Sequence, residues 1–189
     1  MRIISGERRG RRLVHWKAEG IRPLRDRVRT ALFDSLGDFV VGAEVLDLFA
    51  GTGAVGLEAL SRGAKRATFV DSSPEAIRII RENAANLGYA EQTETIKGDV
   101  FKAVKNLVRR GRRFDLVFIG APYEPGLAAE ALRAVAEALP LRPGALVVVE
   151  TFHKEELGDS FPPLSFQDSR VYGETRLTFF RFGPAEKNR

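Results

Sequence analysis

Three aspartates and one glycine-rich stretch are the residues of this chain whose types and spacing could do chemistry. In DLFAGTGAVG, residues 47–56, Gly51, Gly53 and Gly56 satisfy G-x-G-x-x-G after an apolar run, and Asp71 lies twenty residues past Gly51. That pattern suits a ribonucleoside: glycines let the backbone approach closely, and an acid at the next strand's end can hold ribose hydroxyls. Asp47 argues against a dinucleotide, because a carboxylate four residues before Gly51 would repel a pyrophosphate. Asp99, in GDVF at residues 98–101, suits an adenine amino group, with Val100 beside it. S-adenosylmethionine satisfies all three acids. It carries a ribose, an adenine and no phosphate, and its ammonium and sulfonium suit Asp47. Phe49, Ala50, Gly51, Thr52 and Gly53 form the expected cofactor-binding loop, and Ser72 stands with Asp71. A dinucleotide-dependent oxidoreductase is the weaker reading. The chain has no cysteine, only His15 and His153 as histidines, and no Tyr-x-x-x-Lys motif for hydride transfer.

A second stretch, VFIGAPYEPG at residues 117–126, carries an apolar run into Gly-Ala-Pro-Tyr. Pro122 biases Ala121 toward an extended conformation. Pro122 and Pro125 hold Tyr123 rigid at what reads as a strand's end, which favours a working aromatic ring over a packing residue.

The hydropathy pattern lays out the elements that must position these residues. Strands are expected at 44–49, 67–71, 93–99, 114–120 and 145–150, and helices at 55–62, 73–88, 100–111 and 126–139. Ser73 is the expected cap of the second of these helices, with Pro74 at its first position. Alternating β and α segments, with strands as apolar as LVFI and LVVV, predict an α/β doubly wound parallel sheet covered on both faces. The three acids would then share the crevice where such sheets bind ligands. Upstream, 2–17 reads as a β-hairpin turning between Gly6 and Gly10. Residues 26–37 read as a helix with Asp26 as N-cap and Gly37 as its stop. Downstream, 163–173 and 174–183 read as an antiparallel hairpin closing the sheet. The expected domains are a basic hairpin extension, 1–25, and a main domain, 26–189.

The chain has 189 residues, 44% hydrophobic and 29% charged, the makeup of a single globular domain. It contains no run of about 18 apolar residues, and MRIISGERRGRR has no apolar signal core. A cytoplasmic protein without a membrane partner is expected. Absent cysteines exclude disulfides and thiolate ligands, and two isolated histidines point to no metal site. The net charge of +5 is uneven: residues 1–30 hold ten Lys/Arg against three Asp/Glu, the remainder twenty against twenty-two. Such an arm suits a polyanion. Arg8, Arg9, Arg11, Arg12 and Lys17, then Arg22, Arg25, Arg27 and Arg29, are candidate phosphate contacts. The second basic run, Lys102 to Arg113, reads equally well as a solvated helix face, and Trp16 as a base-stacking ring or a hairpin anchor. No extra apolar face signals an oligomer, so a monomer is expected.

DLFAGTGAVGLEALSRGA, FVDSS and GDV together resemble the class I methyltransferases. RIISGERRGRRL, RPLRDRVRTALFDSL and RVYGETRLTFF narrow the resemblance to the bacterial 16S ribosomal RNA guanine-N2 methyltransferases of the small subunit, across nearly the whole chain. The resemblance implies a Rossmann-like, seven-stranded, mostly parallel sheet with an N-terminal hairpin appendage. It implies S-adenosylmethionine as methyl donor, and 16S rRNA in small-subunit particles as partner, modified at the exocyclic N2 of one guanine. In that family Asp or Asn, Pro, Pro, then Tyr or Phe follows the fourth strand. The side chain and the next carbonyl accept from the amine, and the ring stacks on an extruded base. The corresponding catalytic residues here are Gly120, Ala121, Pro122 and Tyr123. Pro122 and Tyr123 match, and Ala121 keeps its carbonyl, but Gly120 lacks the side-chain acceptor. Losing one such acceptor costs about two to three orders of magnitude in rate. Three outcomes stay open: activity on backbone carbonyls alone, substitution by Glu124 or another carboxylate, or RNA and cofactor binding with little turnover. Retained activity is the expectation. Methylation of an adenine amine is the other enzymatic reading. In the RP…DRVR block, Leu24 replaces the family's usual Thr and Thr30 its usual Glu.

Overall fold

The computed structural model describes residues 1–14, 24–138, 140–158 and 160–183. His15, Trp16, Lys17 and Arg22 lie outside the described residues. The strands are β1 Glu44–Leu48, β2 Arg66–Asp71, β3 Thr93–Lys97, β4 Phe114–Ile119, β5 Leu141–Phe152, β6 Leu164–Tyr172 and β7 Thr175–Phe182. They form one sheet in the order β3-β2-β1-β4-β5-β7-β6. Pairs from β3 to β5 are parallel; β7 pairs antiparallel with β5 and β6. The helices are α1 Asp26–Leu36, α2 Ala54–Ser61, α3 Pro74–Leu87, α4 Val100–Arg109 and α5 Leu127–Ala138. This is the expected Rossmann-like architecture with its antiparallel C-terminal hairpin. The strand order reverses between β1 and β4, which opens a crevice at their carboxyl ends.

Alternation along the strands sorts the core into two layers. Val45, Phe69, Phe118 and Val148 pack with Leu32, Phe33, Leu57, Ile77 and Ile80 from α1, α2 and α3. Leu46, Val117 and Val147 pack with Val104, Leu107, Leu132 and Val135 from α4 and α5. Each such fully buried side chain contributes about 1.5–3 kcal/mol.

Local chemistry sets the ends. Ser73 Oγ accepts from Ala76 N at 3.3 Å and Pro74 opens α3, as the sequence predicts, and Gly88 closes the helix at φ 79°. At α1 the expectation is corrected: Arg25 is the N-cap, and Asp26 is the first helical residue. The Asp26 carboxylate accepts from Arg29 Nη2 at 3.1 Å instead of capping the helix. β5 runs well beyond 145–150 because it pairs with β4 on one side and β7 on the other. Its Pro143-Gly144 is absorbed where the register to β4 shifts between Phe114 and Leu116, an irregularity that lets a strand carry such residues.

Residues 1–14 fold back as expected, but with a single bridge, Arg2 to Arg12, in place of two regular strands. The segment is seated on the domain. Ile3 and Leu13 are buried with α1, α2 and α3, and Glu7 N donates to Ser61 O at 2.9 Å. The Glu58 carboxylate accepts from Ile4 N at 2.8 Å and Ser5 N at 2.9 Å.

Candidate functional site

The loop from β1 to α2 is wound tightly by backbone conformation. Phe49, Gly51 and Gly53 have φ of 58°, 54° and 75°, and Phe49 is the only non-glycine with positive φ among the described residues. A left-handed non-glycine costs about 1–3 kcal/mol and marks an over-determined site. Gly53 N closes the turn onto Ala50 O at 2.8 Å, and Gly53 is the N-cap of α2. A Cβ on Gly56 would stand 2.4 Å from the Phe69 ring, so α2 reaches β2 only with glycine there. Two carboxylates hold the loop. Asp47 Oδ2 accepts from Gly56 N at 3.0 Å. Asp71 accepts from Gly51 N at 2.8 Å through Oδ2 and from Ser73 N at 2.9 Å through Oδ1.

The stretch after β4 faces this loop. Gly120 N donates to Leu48 O at 3.2 Å, and Ala121 is buried while Pro122 is exposed. Tyr123 is 36% exposed, yet its ring is held. Its hydroxyl donates to Glu150 Oε1 at 3.0 Å, lies 3.3 Å from Thr175 Oγ1, and its ring centroid is 5.9 Å from that of Phe152.

These elements enclose a cavity of about 1150 Å³. Eight expected site residues line it: Phe49, Gly51, Asp71 and Ser72 on one side, Gly120, Ala121, Pro122 and Tyr123 on the other. Sequence reasoning missed Glu150, Phe152, Lys154, Glu155 and Glu174, which also line it. The available signal was Glu150 closing the apolar run ALVVVE, as Asp47 interrupts β1.

The remaining expected cofactor residues lie outside that lining. Asp47 is buried beneath the loop. Thr52 is buried, with its hydroxyl 3.4 Å from Met1 Sδ, and Gly53 sits against Ile80 and Phe69. Ala50 is half-buried. Asp99 caps α4, accepting from Lys102 N at 2.9 Å, with Val100 the first helical residue.

Burial pushes the Asp47 carboxyl up to about 8; the Gly56 amide opposes this, while the charges of Asp71 and Glu150 add to it. Burial also pushes Glu150 up to about 7, against the pull of the Tyr123 hydroxyl.

Among the described residues, the candidate phosphate-binding arginines fall into three groups. Arg9, Arg12, Arg25 and Arg27 are exposed, and Arg25 lines a small cleft with Tyr123 and Glu150. Arg8 and Arg11 are tied to the end of α3: Arg8 Nε donates to Leu87 O at 2.7 Å and Arg11 Nη2 to Asn86 O at 3.1 Å. They satisfy carbonyls that a helix end leaves open. Arg8 also stacks over Tyr89, 5.5 Å from its centroid. Arg29 is corrected outright: it is fully buried, 3.7 Å from Glu58, and cannot meet a phosphate.

Comparison with known proteins agrees with this architecture. The family model described as conserved hypothetical protein 95 matches residues 1–181. Ribosomal RNA small subunit methyltransferase D of Haemophilus influenzae is 38% identical over 152 residues, 80% of this chain and 78% of that protein. The solved structure of Escherichia coli yhhF matches with a TM-score of 0.82 at 33% identity, over 96% of this chain and 97% of that one. An RNA methyltransferase from Salinibacter ruber, solved with S-adenosyl-L-homocysteine, matches with a TM-score of 0.67 at 19% identity, over 89% of this chain and 100% of that one. At that identity the likeness is one of fold, and the fold is that of the class I methyltransferases. The chain belongs to the family described as conserved hypothetical protein 95, and its relatives include proteins named ribosomal RNA small subunit methyltransferase D.

Proposed function

We propose that this chain uses S-adenosylmethionine to methylate the exocyclic N2 of a guanine in 16S rRNA of the small ribosomal subunit. The observation that carries the reading is the charge of the cavity. Its charged lining is Asp71, Glu124, Glu150, Glu155 and Glu174 against a single base, Lys154. Such a site favours a cationic nucleoside over a pyrophosphate. The Gly56 amide in the first turn of α2, where a dinucleotide phosphate would bind, is already occupied by Asp47. The residues therefore fit S-adenosylmethionine. Bound there, it would supply an electrophilic methyl group, its carbon–sulfur bond breaking with the electron pair left on sulfur.

Asp71 and Ser72 would hold the ribose; each Asp71 oxygen accepts one amide proton and keeps a further lone pair. Asp47 would favour the positive methionine end from behind the loop, because a nearby cation draws its raised carboxyl toward the ionised form, with Asp99 and Val100 on the adenine side. The Tyr123 ring, exposed but fixed at its hydroxyl, is a platform for an extruded base, and the Ala121 carbonyl is an acceptor for the amine. Arg9, Arg12, Arg25 and Arg27 would meet phosphates. The substrate class is supported by relatives named ribosomal RNA small subunit methyltransferases. A ribosomal substrate would place the chain in the cytoplasm. Among the described residues, no helix is long and apolar enough to cross a membrane.

The test is transfer of tritiated methyl from S-adenosylmethionine to 16S rRNA, offered naked and as unmethylated small-subunit particles. Label in the rRNA is expected. Failure with both substrates would sink the reading.

A further inference from the structure

The resemblance read from the sequence implies a side-chain acceptor at the position where this chain has Gly120. Register shows what stands there instead. Phe118 pairs with Val148 across β4 and β5, so Gly120 and Glu150, two residues further along each, lie side by side on the same face. A Cβ on Gly120 would lie 3.6 Å from Glu150 Oε2 and 2.9 Å from Phe118 Cε1. The Glu150 carboxylate thus occupies the approach that a side chain at position 120 would take. It is 7% exposed and held in place, because Oε1 accepts from the Tyr123 hydroxyl at 3.0 Å. Oε2 has no hydrogen-bond partner among the described residues, and Glu150 lines the cavity.

We propose that Glu150 is the side-chain acceptor of this site, its Oε2 taking one N–H of the guanine amine in the role that a residue at position 120 fills in the family motif. The inference rests on the guanine-N2 reading. As the amine's lone pair enters the new nitrogen–carbon bond, positive charge develops on nitrogen. A fixed, largely buried carboxylate stabilises that charge. One N–H bond then breaks and its proton passes to Oε2, leaving a neutral secondary amine; Glu150 returns the proton to water. A carboxyl titrating near neutrality suits that exchange, and burial raises Glu150 to about 7. Among the described residues, the charged and titratable groups around it are Tyr123, Asp47, Arg25, Tyr172 and Glu174. Glu124 is the weaker candidate. It is exposed, and its side chain makes no hydrogen bond among the described residues.

The experiment measures single-turnover methyl transfer to guanine in small-subunit particles, with S-adenosylmethionine affinity read separately by calorimetry. Glu150→Ala is expected to slow transfer about 100- to 1000-fold while affinity stays within about threefold. Glu150→Gln, which keeps the shape and one acceptor oxygen but cannot take the proton, falls between Glu150→Ala and wild type. Gly120→Asp alone sets two carboxylates together and slows the reaction; added to Glu150→Ala, it recovers part of the loss. The inference is overturned if Glu150→Ala transfers within about threefold of wild type. It is also overturned if Glu150→Gln loses cofactor affinity in step with rate, or if Gly120→Asp speeds the wild-type chain. If wild type methylates no guanine at all, the guanine-N2 reading falls first and takes this inference with it.

Discussion

Asp71 Oδ2 accepts the amide proton of Gly51 at 2.8 Å, tying the end of β2 to the glycine loop after β1. The same carboxylate accepts from Ser73 N at 2.9 Å at the start of α3. One side chain therefore sets the loop's height above the sheet and orients the next helix, while presenting oxygens to the cavity.

Asp71→Ala removes both contacts. Hydrogen bonds to a charged group contribute about 1.5–3 kcal/mol, and 1.4 kcal/mol is about tenfold in affinity. S-adenosylmethionine affinity should fall by at least about tenfold, with a lower Tm. Calorimetry showing unchanged affinity would contradict a role in holding the cofactor loop.

Asp47 and Glu150 link stability to pH. In the folded chain they titrate at about 8 and about 7, above ordinary values of 3.8 and 4.5. Between those limits the native state binds more protons than the unfolded state. The pair's contribution is therefore complete below the ordinary values and is lost as pH rises through the folded ones. Asp47→Asn should flatten this dependence. The check is the urea midpoint of both proteins measured at intervals between pH 5 and pH 8; an unchanged slope in Asp47→Asn counts against the assignment.

Glu58 is fully buried and holds Arg29 at 3.7 Å and Arg62 at 2.8 Å, besides two backbone amides of the N-terminal segment. Burial already lowers the Arg29 pKa. Breaking a buried ion pair from one side costs about 3–5 kcal/mol, so Glu58→Ala should destabilise the chain by that order and open residues 1–14 to protease. Chemical denaturation measures the first effect and limited proteolysis the second. A much smaller loss of stability would mean the segment is held by Ile3 and Leu13 alone.

The arginines should separate by experiment. Arg9→Ala with Arg12→Ala should weaken RNA binding regardless of sequence and reduce the log–log salt slope by about 2, with Tm unchanged. Arg8→Ala should lower Tm instead, because Arg8 satisfies the end of α3. Binding isotherms across salt concentrations, set beside melting curves, distinguish the two classes.

Much of the candidate site is readable before the fold is known, because its residues obey local rules. Gly51, Gly53 and Gly56 have backbone or packing reasons that a motif records, and Ser73-Pro74 announces a helix start. What escapes depends on partners distant in sequence. Gly120 and Glu150 become neighbours only when β4 and β5 come into register. Arg8 and Arg9 look alike until the N-terminal segment docks on α3. Arg29 reads as another basic residue until α1 meets Glu58 of α2. Asp26 fails as an N-cap for a local reason: its carboxylate has a better partner in Arg29, one turn along.

The central claim is guanine-N2 methylation, and mass spectrometry of nucleosides tests it most directly. Small-subunit particles lacking the modification are incubated with the protein and S-adenosylmethionine, and the 16S rRNA is digested to nucleosides. The account predicts N2-methylguanosine at up to one per rRNA, dependent on protein and cofactor. Appearance of N6-methyladenosine in its place, or no methylated nucleoside from a protein that still binds S-adenosylmethionine, would contradict it.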